Sequence, residues 1–169
     1  MKKLPVLMAL FLAVCAFSGC TNENIPENIG MPNPWSDCQD NLEQAAKIAG
    51  FKFPLLLSNY EVRAMKNMIE ITYPLDETRY VTVRKSSTNY DNLSGDYNKY
   101  PDNKEIMIKG CVPVKIRADK DKIYIMDMAA SSGYYSARCP QGMSLKEVEG
   151  IYEVLAAAEA EKLPTEEAR

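Results

Sequence analysis

The chain has 169 residues, 23 acids against 20 bases for a formal charge of −3, five cysteines and no histidine. That length suits one domain around one core, and mild acidity without basic runs argues against a nucleic-acid partner. The missing histidine removes the commonest general base, the commonest metal ligand and every Ser-His or Cys-His nucleophile pair, and the cysteines lack CxxC spacing, so neither metal nor cofactor is expected.

The first residues read as an export signal. Lys2 and Lys3 precede an apolar run over 4–17, and Ser18-Gly19-Cys20 follows at once. This is the layout of a secretory signal ending in a lipobox-like site. The expectation is a lipoprotein-type signal peptide over 1–19, lipidation of Cys20, and a flexible tether over 20–35 rich in Asn, Pro, Glu and Gly. The chain would then sit outside the cytoplasm, lipid-anchored to a bacterial membrane, with several acyl groups for stable attachment. Phe17 stands where Leu is usual, so a plain secretory cut after Ala16 and an uncleaved anchor stay open. The apolar run is shorter than the about 20 residues of a span. The segment 1–19 holds two lysines and no acid, which leaves about −5 from Cys20 onward.

The domain is expected over 36–160, with a charged tail over 161–169. Ser36 and Gln39 have capping-box spacing, and Leu42, Ala45, Ala46 and Ala49 step by three and four, so a helix is expected from Ser36 to a stop at Gly50. Beyond an apolar connector the period changes to two. Strands are expected over 60–66, 68–73, 79–85, 104–109, 111–118, 122–128 and 134–139. Turn signals separate them at Pro74 with Asp76-Glu77, Lys109-Gly110, 119–121 and Ser131-Ser132-Gly133. Pro140 and Gly142 interrupt the pattern. Ser144 with Glu147 makes a second capping box, and Leu145, Val148, Ile151 and Leu155 form the stripe of a closing helix that fades after Ala156. The order predicts an α+β fold: an antiparallel meander sheet of six to seven strands flanked by an N-terminal and a C-terminal helix.

Within it, 86–103 is a long segment of Ser, Asn, Asp, Tyr and Gly with almost no aliphatic content. Long loops in compact domains are uncommon and often functional. Tyr90, Asp96, Tyr97 and Tyr100 are the candidate contact surface, although an ordered omega-type loop whose tyrosines cover a sheet edge fits as well. Ser94-Gly95-Asp96 reads first as turn chemistry. Trp35, the only tryptophan, is either a core plug against the first helix or an exposed docking aromatic.

Outside the cytoplasm thiols tend to pair. In an up-down-up order Cys111 and Cys139 fall at opposite ends of the sheet, too far apart for a disulfide, whose Cα atoms lie within about 7 Å. Cys38 is therefore one partner, with Cys38–Cys111 as the expected bond and Cys38–Cys139 as the runner-up.

Several segments together resemble a bacterial family called domain of unknown function 4367. They are Asn33-Pro34-Trp35 with Cys38, Ala45-Ala46 and Ala49-Gly50-Phe51; Met68-Ile69-Glu70-Ile71 with Tyr73 and Val83-Arg84-Lys85; Leu93-Ser94-Gly95-Asp96-Tyr97-Asn98 with Tyr100; and Gly133-Tyr134-Tyr135-Ser136 with Gly142-Met143-Ser144. The resemblance implies lipoproteins and the outer halves of membrane-bound anti-sigma-factor-like proteins, and brings no catalytic residues.

The functional expectation is a membrane-anchored extracytoplasmic lipoprotein acting as a non-catalytic binding or regulatory module, with an envelope protein or an apolar ligand as its partner. The alternative is a small envelope hydrolase using carboxylate and tyrosine residues of the 90–100 loop, with Asp96, Tyr97, Ser94 and Arg84 as the candidates.

Overall fold

A computed structural model describes residues 33–53, 59–109 and 112–160. The expected signal, most of the tether with Cys20, the sulfur of Cys111 and the tail over 161–169 lie outside the described residues.

The first element differs from the expectation. Ser36–Gln39 is a short edge strand, β1, not the first turn of a helix. Its one buried side chain is Cys38, the alternation of a strand. The helix α1 spans Leu42–Ala49, and its cap is Asn41, whose side chain accepts from Gln44 N at 2.9 Å. Asn caps as well as Ser, so the box at Ser36 had a competitor five residues on. Gly50 ends α1 as expected, left-handed at φ 82, its N–H donating to Ala46 O.

Seven further strands follow: β2 (Glu61–Met65), β3 (Met68–Pro74), β4 (Tyr80–Ser86), β5 (Asp102–Ile108), β6 (Val112–Asp119), β7 (Lys122–Ala130) and β8 (Gly133–Met143). Helix α2, Leu145–Ala160, closes the domain. Its capping box forms: Ser144 N donates to Glu147 Oε2 at 2.7 Å, and Glu147 N donates to Ser144 Oγ at 3.3 Å. Pro140 and Gly142 do not end β8. They sit where its register with β7 slips, between the pairs Ile125–Arg138 and Ile123–Met143, as bulge residues do.

The fold is α+β, built on one antiparallel sheet of eight strands in the order β1-β2-β3-β4-β8-β7-β6-β5. It is not one continuous meander. β1 to β4 form one, β5 to β8 form another, and β8 returns to pair with β4. The chain after β4 therefore crosses the sheet to the far edge before β5 begins. Local turns join β2 to β4 and β5 to β8, and α1 lies between β1 and β2, whereas the β4–β8 seam is a long-range pairing that periodicity cannot announce.

Side chains alternate cleanly across the pleat. One cross-strand row reads Val62, Ile71, Val83, Ala137, Met126 and Ile116, all buried in one apolar cluster. Ala45 and Ala49 of α1 and Val148, Ile151 and Leu155 of α2 join it. Each such aliphatic residue of β-branched or leucine size stabilises by about 1.5–3 kcal/mol when fully buried. The helices thus cover this face of the sheet with their own side chains.

The next row on this face carries Ile69, Lys85 and Tyr135. Lys85 is 1% exposed. Its Nζ donates to Glu159 Oε1 at 3.0 Å, and the hydroxyls of Tyr135 and Ser132 donate to the same oxygen. Burial raises the Glu159 carboxyl, but these donors and the lysine charge outweigh it and bring it down to about 2. Glu159 is four residues beyond Leu155, on the same stripe. That explains why α2 runs past Ala156 to Ala160.

Cys38 and Cys139 are buried free thiols. They lie on β1 and β8, four positions apart in the strand order, at about 4.8 Å per step. The runner-up bond Cys38–Cys139 is therefore not formed; Cys38 carries no disulfide, and Cys111, its partner in the expected bond Cys38–Cys111, lies outside the described residues. Among the described residues no helix is long and apolar enough to cross a membrane.

Candidate functional site

The opposite face of the sheet is polar. A single cross-strand row runs Asp37, Arg63, Glu70, Arg84, Ser136, Asp127, Lys115, Glu105, one residue from each of the eight strands. Charge alternates along it except at Ser136, which lies at the seam between the meanders.

In the first meander Arg63, Glu70 and Arg84 of the row close on one another. Glu70 is 2% exposed, and its two oxygens accept from Arg63 Nε at 2.9 Å and Arg84 Nε at 2.7 Å. Trp35 lies over both guanidinium groups, 5.6 Å and 5.3 Å from ring centre to Cζ. It is half-buried on the polar face, so it is neither a core plug against α1 nor a free docking aromatic.

The crossover loop covers the middle of this face. Its backbone is shaped by its own short polar side chains. Ser94 Oγ donates to Asn92 Oδ1 at 2.8 Å, Asp96 N donates to Ser94 Oγ at 3.1 Å, and Asn98 N donates to Asp96 Oδ1 at 2.8 Å. Three arginines from three strands then fix it to the sheet. Arg84 Nη1 donates to Leu93 O at 3.1 Å, Arg117 Nη2 to Ser94 Oγ at 3.0 Å, and Arg138 Nε to Asp96 Oδ2 at 3.1 Å. Gly95 (φ +67) is required here, because a Cβ would lie 2.2 Å from Arg84 Nη1.

The four candidate contact residues separate into two pairs. Asp96 is 5% exposed and serves as the hub of the loop. Burial raises its carboxyl, but the bonds from Asn98 N and Tyr100 Oη and the charge of Arg138 hold it below the usual carboxylate range. Tyr100 donates to Asp96 Oδ2 at 3.0 Å and stacks on Tyr124 with ring centres 5.0 Å apart. Tyr97 is 88% exposed and Tyr90 40%. Asp96 and Tyr100 therefore hold the loop, and Tyr97 and Tyr90 present it.

This division bears on hydrolytic chemistry. Ser94 is buried with its hydroxyl engaged by Asn92, Asp96 N and Arg117. Asp96 is buried and fully bonded, while Tyr97 stands in solvent. The residues beside Arg84 therefore present no accessible nucleophile and base together. Among the described residues no three of His, Cys, Asp and Glu are grouped to hold a metal ion.

In the second meander the same row stays open. A cleft of about 450 Å³ lies between the start of the loop and the strands. Asn89, Tyr90, Asp91 and Leu93 form one wall, and Glu105, Pro113, Lys115, Asp127, Ala129 and Tyr134 the other. Asp127 Oδ2 accepts from Arg117 Nη2 at 3.1 Å, but its Oδ1 has no partner, and neither has the buried hydroxyl of Ser136 beside it. Among the described residues Asp91, Glu105 and Lys115 enter no ion pair. A larger hollow of about 730 Å³ at the β1 edge is lined by Asp37, Asp40, Tyr60 and Glu61, but its Arg63 and Glu70 are spent on each other.

The cleft was not singled out by the sequence. Its signal was available as charges at the polar-face positions of three consecutive strands, next to a tyrosine-rich loop. No family model, no curated protein and no solved structure matches the chain.

Proposed function

We propose that the chain is a lipid-anchored, extracytoplasmic, non-catalytic binding module whose contact surface is the loop-bearing half of the polar face. The observation that carries this reading is Tyr97, 88% exposed on a loop that three arginines pin to the sheet. A large apolar ring held in water by a rigid mount is unfavourable alone and favours contact. Its ordering cost is already met by the fold, so binding loses less entropy. Tyr90 and the open cleft adjoin it. An envelope protein suits this surface, whose exposed groups are tyrosine rings and charged side chains.

The test is site-specific photo-crosslinking in the native envelope. A photoreactive residue replaces Tyr97 in one strain and Leu145 in another. Leu145 is 50% exposed, at the start of α2 on the helix side. A discrete adduct from Tyr97 in the membrane fraction, absent from Leu145, is the expected result. Equal or absent crosslinking at the two positions overturns the reading.

A further inference from the structure

We infer that the cleft of the second meander receives a basic side chain, a lysine ammonium or arginine guanidinium, from the partner polypeptide. The inference rests on the contact surface proposed above and names the chemistry at its centre.

The charges of the cleft point to a cation. Asp91 comes from the loop, Glu105 from β5 and Asp127 from β7; Lys115 opposes them within the lining, and Arg117 pairs with Asp127 from beside it. Asp91 and Glu105 are exposed and have no ionic partner among the described residues, while Asp127 is held by Arg117 through Oδ2 and its Oδ1 is buried, so it adds to the field of the cleft without itself receiving the cation. Asp91 and Glu105 can therefore meet a cation with no existing pair to break first. The walls suit the rest of such a side chain. Tyr90 and Tyr134 offer ring faces for a cation, and Leu93, Pro113 and Ala129 offer apolar surface for a methylene stem.

A polypeptide source is favoured over a free amine by what borders the cleft. Tyr97 and Tyr90 stand on one side. On the other, β5 is a free sheet edge with Met107 54% exposed on the same face. A small amine would use the cleft alone, whereas a chain would also cover these neighbours. Lys115 acts as an internal competitor. It stands between Glu105 and Asp127 in the row without pairing to either, so it lowers the attraction for an incoming cation.

The test uses the full chain, isotope-labelled, titrated with N-acetyl-lysine-N-methylamide, N-acetyl-arginine-N-methylamide, the norleucine analogue and 1,5-diaminopentane, and followed by NMR. The basic amides should shift the resonances of Tyr90, Glu105 and Tyr134 in the millimolar range, and norleucine should not. Glu105→Gln should weaken binding about fivefold, and Lys115→Met should tighten it by a similar factor. Both positions are exposed, so an unchanged spectrum elsewhere certifies the fold. No shift with either basic amide overturns the inference. So does norleucine binding as well as lysine, or diaminopentane binding more tightly than both amides. A Tyr97 adduct without amide binding leaves the contact surface standing and removes only its basic ligand, whereas loss of both removes the two together.

Discussion

The two halves of the polar face carry the same alternation of charge and end in opposite states. In the first, an acid lies between two arginines and both its oxygens are used. In the second, a lysine lies between two acids and pairs with neither. Arginine offers a flat fork that meets a carboxylate edge-on and pre-sets the geometry, while lysine is a hydrated point charge on a long flexible stem. Asp127 is also already taken on one oxygen by Arg117, and Glu105 stands on the edge strand in water. Alternating charge across a sheet does not by itself close a surface. The shape of the cation and the depth of the acid decide it.

The largest effect is expected at the centre of the closed half. Glu70→Gln leaves Arg84 partly buried without its carboxylate and should cost about 3 kcal/mol in urea unfolding. A loss below about 1 kcal/mol would show that the pairing of Glu70 is incidental to stability.

Next is the loop that divides the halves. Asp96→Asn removes the charge that Arg138 and Tyr100 address and should cost about 2 kcal/mol. It should also change the acid response. The Asp96 carboxyl is lower in the folded protein than the ordinary 3.8, so its contribution is complete above that value and is lost as the pH falls through the folded value. Wild-type stability, measured by denaturant titration across the acid range, should fall more steeply there than that of the variant. Glu159, brought to about 2 from 4.5, contributes in the same direction to both proteins.

Gly95→Ala follows. Its Cβ meets Arg84 Nη1 and its φ is +67, so a cost of about 1.5 kcal/mol is expected, with altered amide shifts over 92–98. The smallest effects belong to the open half. Glu105→Gln and Lys115→Met should each change stability by less than about 0.5 kcal/mol, read from the same urea curves. A cost near that of Glu70→Gln would mean that the open half is closed in solution.

Much of this was legible in the sequence, and the rest was hidden for identifiable reasons. Gly50, the box of Ser144 with Glu147, and seven strands with their in-out parity follow from local rules that the structure obeys. β1 was not legible because Ser36 and Gln39 imitate a capping box, and a four-residue strand is too short for its alternation to outweigh that. The β4–β8 seam was not legible because nothing near β4 refers to β8. Two charges did leave a trace. Lys85 continues the parity of Val81 and Val83, and Glu159 continues the step from Leu155. Each is a charged residue at a core-facing position, and each is explained by the other. The loop was legible as unusual and as turn chemistry. Its three arginine anchors lie on strands that only the tertiary fold brings beneath it.

The strand order also sets a sequence of events in time. β4 can pair with β3 as soon as both exist, but its other edge waits for β8, the last strand among the described residues. Until the second meander is made, crosses over and docks, the first carries a bare edge of β-branched residues at the middle of the future sheet. Such edges recruit the wrong strands, and pairings this distant along the chain close slowly. A chain threaded across a membrane from its N-terminus would meet this delay on every molecule. The final hairpin, β7 with β8, is then the step that commits the domain to its fold.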